Sequence, residues 1–116
     1  MTRQAAERRG RGAEALAALW LQLHGWRILA RRARVPGGEV DLVMRRRRTL
    51  AFVEVKARAT ATSAAWSLDE YRLRRVVAAA ERLAPRFLRP GDEMRIDAVF
   101  IVPRRLPRHV PNIWQG

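Results

Sequence analysis

The spacing of apolar residues along the chain predicts an alternation of helices and strands. In the segment 12–25, apolar side chains recur at steps of three and four, which is typical of a helix with one apolar face. Segments in which polar and apolar residues alternate are typical of half-buried strands. The predicted elements, in order, are a helix (12–25), three strands (26–35, 39–44 and 50–58), a second helix (from 67–70 to about 83) and a fourth strand (94–102).

Both predicted helices have a defined apolar face and a defined end. The face of the first helix consists of Leu16, Leu19, Trp20 and Leu23, and Gly25 follows as a natural stop. At the start of the second helix, Ser67 and Glu70 match the capping box S-x-x-E, in which the two side chains satisfy free backbone amides reciprocally. The apolar face of this helix consists of Leu73, Val76, Val77 and Ala80.

The order of these elements, helix, three strands, helix, strand, predicts an α/β fold with a mixed sheet and helices packed on it. The 116 residues are enough for one domain, which we assign to residues 1–116. No apolar run approaches the roughly 18 residues of a membrane span, so no membrane partner is expected. The absence of cysteine excludes disulfides and cysteine-ligated zinc, and it fits a cytoplasmic protein.

The charge of the chain indicates a polyanionic partner. It contains 24 Lys+Arg against 11 Asp+Glu, with a formal net charge of +13 and a pI of about 11.9. Such a positive field predicts a polyanionic partner, most simply nucleic acid. Codon bias in a GC-rich genome explains arginine in place of lysine, but not the excess of positive charge. The candidate phosphate-contacting residues are Arg45, Arg46, Arg47 and Arg48, for which a solvated hairpin tip is an equal alternative, and Arg58.

Two carboxylates are predicted to face each other across a hairpin. Alternation along the strand 50–58 places Glu54 and Lys56 on one face. A hairpin centred on Arg47 and Arg48 would bring Asp41 opposite Glu54, with Cβ atoms about 5 Å apart. Opposed carboxylates repel, and a hard cation such as Mg²⁺ or Mn²⁺ between them would stabilise the pair. A cation held in this way can activate water and offset charge on a phosphodiester.

Lys56 is the only lysine of the chain, two residues after Glu54. A lysine is a compact charge whose pKa falls on burial, whereas arginine remains protonated. Lys56 lies about 7 Å from Glu54 along the same face, where it can orient water or stabilise developing negative charge. Chance is the alternative explanation, because E-x-K alone is a weak motif.

Four segments carry a resemblance to a known family. They are GRGAEALA (10–17), GGEVDLV (37–43), FVEVKAR (52–58) and RIDAVFI (95–101). In this order they resemble the YraN-like family of small bacterial proteins. That family is related in pattern to the archaeal Holliday-junction resolvases and to the PD-(D/E)xK nucleases.

The resemblance implies a restriction-endonuclease-like fold, in which helices flank a mixed central sheet, in the order αβββαβ. It also implies that Glu14, Asp41, Glu54 and Lys56 form the catalytic site, with the three acids as metal ligands. On position alone, Glu14 would instead be a surface residue paired with Arg11. Asp97 matches a further family acid, for which a structural salt bridge is at least as good an explanation.

Three functions follow from these expectations. The first is a metal-dependent nuclease that cleaves DNA, including branched or repair intermediates. The second is a nucleic-acid-binding module of the same fold without catalysis, whose binding would weaken steeply with salt. The third is an adaptor with an exposed apolar patch formed by its tryptophans, although core packing is their usual role. The family pattern also admits a homodimer.

Overall fold

The predicted helices and strands are present in the structure, a computed structural model that describes residues 3–114, with side chains in the ranges 10–62 and 65–114. The described residues add a short fifth strand and a turn of 3₁₀ helix at Ser63–Trp66. The main elements are α1 (Arg3–Leu23), β1 (Arg27–Val35), β2 (Gly38–Arg46), β3 (Thr49–Ala57), α2 (Glu70–Phe87), β4 (Glu93–Ile101) and β5 (Arg108–Val110).

The strands form one mixed sheet in the order β1-β2-β3-β4-β5. Neighbouring strands are antiparallel except β3 and β4, which are parallel and are connected through α2. A parallel pair requires a crossover connection, and a helix is its usual form. One buried cluster lies between α1 and the sheet and a second lies between α2 and the sheet, so the helices cover opposite faces. The predicted α/β fold with a mixed sheet flanked by helices is confirmed.

The strand β5 extends the predicted order by one element. It contains three residues between Pro107 and Pro111, and it pairs with β4 through Val99 and His109. A three-residue strand bounded by prolines has no recognisable period in the sequence. Its position is defined by contacts with β4, including a hydrogen bond of 2.7 Å between His109 Nε2 and Asp97 Oδ2.

The hairpin of β2 and β3 places alternate residues on the two faces of the sheet. Leu42 and Val53 pair with each other and lie in the cluster beneath α1. Val43 and Phe52 form the next pair and lie in the cluster beneath α2. Val40 departs from strict alternation. It lies three positions before Val43, a spacing that would place the two side chains on opposite faces, yet both lie in the cluster beneath α2. This occurs where β2 no longer pairs with β3.

The face that α1 presents to the sheet differs from the predicted one. Its buried residues are Ala13, Ala17, Ala18 and Leu21. The predicted face is largely in solvent: the exposed fractions are 42% for Leu16, 53% for Leu19 and 72% for Leu23, and Trp20 is half-buried. The distance between packed elements depends on the side chains at the contact, so a row of alanines lets α1 approach the sheet closely. The spacing of the large residues alone therefore selected the wrong side of the helix.

The apolar face of α2 is confirmed, but the ends of the helix are corrected. Asp69 is the N-cap in place of Ser67, since its carboxylate accepts a hydrogen bond of 2.8 Å from the backbone N–H of Arg72. Aspartate caps a helix as well as serine does, so the sequence offered two possible N-caps, Ser67 and Asp69, two residues apart. The helix also continues through Pro85 to Phe87. Of its predicted face, Val76, Val77 and Ala80 are buried, and Leu73 packs against them.

The tryptophans do not provide the exposed patch that an adaptor would need. Trp26 is buried, and Trp20, Trp66 and Trp114 are half-buried. The Trp66 ring packs edge-on against Phe100, with ring centroids 5.9 Å apart. Within the described residues, neither helix combines the length and the apolar composition needed to cross a membrane.

Candidate functional site

Asp41 and Glu54 meet where the hairpin of β2 and β3 opens. The ladder between these strands ends with the pair Leu42 and Val53, so the predicted register is confirmed and makes Asp41 and Glu54 the next opposed residues. Their side chains share a hydrogen bond. Asp41 Oδ2 also accepts a hydrogen bond of 2.8 Å from the backbone N–H of Val55. This contact orients the Asp41 carboxylate toward β3 after the backbone pairing has ended.

The two carboxylates lie in a cleft of about 490 Å³ between the sheet and the start of α2. The parallel crossover returns the chain over this end of β3, so α2 supplies the second wall. The cleft is lined by Gly38, Glu39, Asp41, Glu54, Asp69, Tyr71, Arg72, Arg75 and Val76. It combines acidic groups at its base with two arginines and the exposed tyrosine of α2.

The pKa of Glu54 is raised to about 8. The main cause is burial, followed by the hydrogen bond to Asp41 and by the negative charge of Asp41. The charges of Lys56 and Arg72 oppose this shift without outweighing it. Glu54 is therefore mostly protonated at neutral pH, and its side chain is hydrogen-bonded to Asp41 across the opening of the hairpin.

Lys56 lies two residues beyond Glu54 on the same strand and is half-buried. Burial lowers its pKa, as does the neighbouring charge of Arg72, while the charges of Glu54 and Asp41 act in the opposite direction. The mutual influence of these groups shows that Lys56 belongs to the same electrostatic site as the two carboxylates. An arginine there would stay fully protonated, whereas the lysine can exchange a proton more readily.

Glu14 is held outside the carboxylate pair. It forms an ion pair of 2.8 Å with Arg32 Nε. That contact raises the pKa of Arg32, and the charges of Glu39 and Asp41 raise it further. Across the described side chains, no group of three His, Cys, Asp or Glu residues is arranged to hold a metal ion. The expected meeting of Glu14 with Asp41 and Glu54 at one metal-binding point is therefore not found, and Glu14 reaches the site only through Arg32.

Arg45 and Arg58 both form hydrogen bonds within the protein, and Arg45 is withdrawn as a phosphate contact while Arg58 stays a prediction. Arg45 lies in β2, where its guanidinium is buried in an ion pair of 2.8 Å with Asp92 and donates a hydrogen bond to the Phe87 carbonyl. Arg58 donates hydrogen bonds to the carbonyls of Ala65 and Ser67, at 3.2 and 2.9 Å. The charge of Arg45 is thus compensated by Asp92, whereas Arg58 is bound to neutral carbonyls and keeps its positive charge.

The remaining predicted arginines lie at the other end of the hairpin. Arg46 stacks over the Trp26 ring at 4.3 Å, and Arg47 and Arg48 are exposed in the turn. The turn is separated from Asp41 by about 20 Å along β2, from the rise per residue of a strand. These arginines cannot touch the phosphate that Asp41 would touch, although a longer nucleic acid would reach both regions.

The arginines that line the cleft, Arg72 and Arg75, were not predicted as site residues. They belong to α2, whose position over the sheet depends on the crossover. The apolar pattern of α2 predicted a helix but did not show which end of β3 it would cover. The signal in the sequence was the cluster of arginines directly after the helix start.

Of the two explanations left open for Asp97, the structure shows the salt bridge, which is formed with Arg95. The carboxylate is fully buried and accepts hydrogen bonds from Arg95 at 2.8 and 3.0 Å, and from the backbone N–H of Asn112 at 2.9 Å. His109 Nε2 lies 2.7 Å away. Asp97 thus joins β4 to β5 and to the segment that follows it.

The chemistry of Asp41 and Glu54 fits a divalent cation. Mg²⁺ prefers hard oxygen ligands, takes one or two carboxylates from the protein and keeps water in its other positions. A cation would replace the proton of Glu54 and offset the negative charge of both carboxylates. The pair lines an open cleft, so water and a phosphate oxygen have room to complete the coordination.

These features define a small, strongly basic α/β protein with a mixed sheet and a carboxylate pair beside a lysine. A model of the family described as "Uncharacterised protein family UPF0102" matches residues 13–101. The chain belongs to this family, and the resemblance noted in the sequence is confirmed.

Similar proteins cover almost the whole chain. A UPF0102 protein of Sphingopyxis alaskensis is 64% identical over 115 residues, which span 99% of either chain. A UPF0102 protein of Rhizorhabdus wittichii is 55% identical over 114 residues, covering 98% of this chain and 97% of the relative. One of Methylorubrum extorquens is 53% identical, covering 97% and 89% respectively.

Proposed function

We propose that this protein is a divalent-metal-dependent nuclease that hydrolyses phosphodiester bonds of DNA. The observation that carries the proposal is the Asp41–Glu54 pair, in which the two side chains are hydrogen-bonded beside Lys56 in an open cleft and the pKa of Glu54 is raised to about 8. Titratable groups with strongly perturbed pKa values in a cleft are typical of functional sites. The formal net charge of +13 supports a polyanionic substrate.

Asp41 and Glu54 would hold Mg²⁺ or Mn²⁺ through their carboxylate oxygens. When bound, such a cation supplies an activated water and offsets charge on the phosphodiester. Glu54 has to release its proton before its carboxylate can act as a ligand. Because its pKa is about 8, occupancy of the site would rise with pH across the neutral range.

Lys56 and the arginines of α2 would act on the substrate. Lys56 Nζ donates a hydrogen bond to the attacking water or to a phosphate oxygen, and its lowered pKa eases proton exchange. Arg72 and Arg75 line the cleft and attract the phosphate backbone into it. Glu14 has a supporting role, since its ion pair keeps Arg32 in place near Asp41.

Cleavage assays with variants of the site test this proposal. Supercoiled, branched and single-stranded DNA would be incubated with Mg²⁺ or Mn²⁺ and the wild type, Lys56→Ala or Asp41→Asn. Each variant should lose activity by about 100-fold or more. Glu81→Gln, which alters an exposed carboxylate on the same helix as the arginines, is the matched control and should remain active. Equal cleavage by wild type, Lys56→Ala and Asp41→Asn would refute the mechanism.

The second candidate is a nucleic-acid-binding protein without catalysis. It is favoured by the charge of the chain, which predicts affinity that falls steeply with salt concentration. Calorimetric titration with Mn²⁺ separates it from the nuclease. Tight and salt-sensitive DNA binding without uptake of metal would support the binding protein.

A further inference from the structure

Tyr71 is an exposed aromatic side chain at the mouth of the cleft. It is the only tyrosine of the chain, and 73% of its surface is exposed. It lines the same cleft as Asp41 and Glu54. Among the described residues, the other large apolar side chains with comparable exposure are leucines. An aromatic ring therefore stands in solvent at a cleft that an acidic pair and two arginines also line.

The surroundings of Tyr71 keep its ring at the cleft. It occupies the second position of α2, directly after the N-terminal residue Glu70, so its backbone is fixed by the helix. The Arg75 guanidinium lies over one face of the ring, 5.9 Å from its centroid, and its Nη2 donates a hydrogen bond of 3.0 Å to the Gly37 carbonyl. The ring is thus tied through Arg75 to the turn before β2, and its opposite face is available for stacking.

The contacts on either side of Tyr71 suit a nucleotide. Arg72 is exposed and lines the same cleft as the ring and the carboxylate pair. A phosphate near the carboxylates and Arg72 would position its attached base toward the ring of Tyr71. Aromatic side chains next to a positively charged groove are the usual means of binding single strands, because every base has a face that stacks.

A base in a duplex cannot use such a ring. Its two faces are covered by its neighbours in the stack, and its edge is paired. An enzyme that contacts the face of a base has to act on single-stranded DNA or extrude the nucleotide. A ring at the cleft therefore selects a strand with unpaired nucleotides beside the scissile phosphate.

We propose that Tyr71 forms a stacking subsite for an unpaired nucleobase, and that the substrate of the cleft is single-stranded DNA or a branch with unpaired nucleotides. This inference rests on the proposed function, because the phosphate attached to the stacked base is the one presented to Asp41 and Glu54. Tyr71 selects the substrate and takes no part in bond cleavage.

Binding measured without metal tests the subsite separately from catalysis. Fluorescence anisotropy would be recorded in EDTA for a fluorescein-labelled oligothymidylate and for a blunt duplex of the same length. The proteins compared are the wild type, Tyr71→Leu, which keeps an apolar side chain, and Tyr71→Phe, which keeps the ring. The residue is exposed, so neither substitution disturbs the core.

Tyr71→Leu should lose about 5- to 150-fold in affinity for the single strand, from the usual effect of one stacked base, and should bind the duplex like the wild type. Tyr71→Phe should bind both as the wild type does. Arg72→Gln is the contrasting variant: it should weaken binding of both ligands to a similar extent, because it removes a phosphate contact.

Two results would overturn the inference: unchanged affinity of Tyr71→Leu for the single strand, or an equal loss for single strand and duplex. Neither result depends on cleavage. A protein that never cleaves DNA but shows the selective loss would refute the nuclease and keep the subsite. A protein that cleaves normally without the selective loss would refute the subsite alone.

Discussion

Two buried carboxylates on neighbouring strands have opposite surroundings. Asp97 on β4 pairs in register with Val53, the residue before Glu54 on β3, so the two acids lie on opposite faces of the sheet. Asp97 is surrounded by the donors of Arg95, His109 and Asn112. Glu54 instead shares a hydrogen bond with a second acid, Asp41.

The pKa values of these acids reflect that difference. Burial alone would raise the pKa of Asp97, but its hydrogen bonds and the charge of Arg95 outweigh burial and hold the pKa below its usual value. For Glu54, burial and Asp41 act together and raise the pKa to about 8. Asp97 therefore stabilises the fold as an anion, whereas Glu54 is costly to ionise. A carboxylate with a raised pKa in a cleft is typical of a functional site.

The largest effect is expected from Asp97→Asn. The substitution leaves the half-buried Arg95 without its anion and replaces one of the two carboxylate oxygens, which bond to Arg95, His109 and Asn112, with an NH2 group that cannot accept a hydrogen bond. Breaking a buried ion pair by removing one partner costs about 3–5 kcal/mol, so the free energy of unfolding should fall by that amount. Urea denaturation followed by circular dichroism measures the change.

Glu93→Gln is the matched control for Asp97→Asn. Glu93 lies on the same strand but is exposed, so its substitution should leave the denaturation midpoint almost unchanged. If Asp97→Asn were no more destabilising than Glu93→Gln, the assignment of Asp97 as a structural anion would have to be abandoned.

The next effect is a dependence of stability on pH that comes from Glu54. Its pKa in the folded protein, about 8, lies above its ordinary value of 4.5, so the folded protein binds more protons than the unfolded chain between these values. The free energy of unfolding should therefore fall as pH rises, by up to about 1.4 kcal/mol per pH unit, or roughly 2 kcal/mol between about pH 5 and 7. Asp97 behaves in the opposite way, since its contribution is lost as pH falls below about 4.

Glu54→Gln isolates this pH dependence. Glutamine resembles the protonated acid, so the variant should match the wild type in stability near pH 5 and exceed it near pH 8. Denaturation curves of both proteins across this range provide the comparison. Parallel curves for wild type and Glu54→Gln would show that Glu54 titrates as an ordinary glutamate.

The site of Glu54 was predictable because it depends on the register of one hairpin. That register is defined by two strands and by the turn at Arg47 and Arg48, and these three elements follow one another directly in the sequence. The turn forms even though arginine is unfavourable there: Arg47 adopts a positive φ of 55°. The five residue pairs between β2 and β3, among them the buried pair Leu42 and Val53, keep the predicted register despite this turn.

Features that depend on distant contacts were not predictable. The partner of Arg45 is Asp92, which follows α2 in the sequence and is 47 residues away. Nothing in the arginine run therefore distinguished Arg45 from its exposed neighbours. The buried side of α1 was missed because the alanines that pack against the sheet carry a weaker periodic signal than Leu16 and Leu19. The wall formed by Tyr71 and Arg72 required the path of the crossover, which the pattern of one helix does not contain.

Binding of a divalent cation by Asp41 and Glu54 should change the stability of the protein by a smaller amount. A divalent cation that binds the folded protein stabilises it by about 1.4 kcal/mol at a free concentration of ten times Kd. Mn²⁺ should raise Tm of the wild type and have no such effect on Asp41→Asn or Glu54→Gln. The shift should grow from pH 6 to pH 8, because binding displaces the proton of Glu54. A pH-independent shift, or one that persists in both variants, would place the cation elsewhere.

The smallest and most specific effect concerns Glu14. Its ion pair with Arg32 is partly exposed, so Glu14→Gln should change the stability of the fold very little. The same substitution should weaken Mn²⁺ binding severalfold, because Arg32 is released and its charge, already influenced by Asp41 and Glu39, competes with the cation. Calorimetric titration of Mn²⁺ measures this change.

The double variant Glu14→Gln/Arg32→Gln separates this indirect role from direct ligation. If Glu14 acts by restraining Arg32, removal of Arg32 also removes the competing charge, and affinity should return toward that of the wild type. If Glu14 instead contacts the cation, the double variant should bind as weakly as Glu14→Gln alone. The cycle thus decides between two arrangements. In the first, Asp41 and Glu54 alone hold the cation. In the second, Glu14 is a third ligand, and its ion pair with Arg32 has to break before the cation binds.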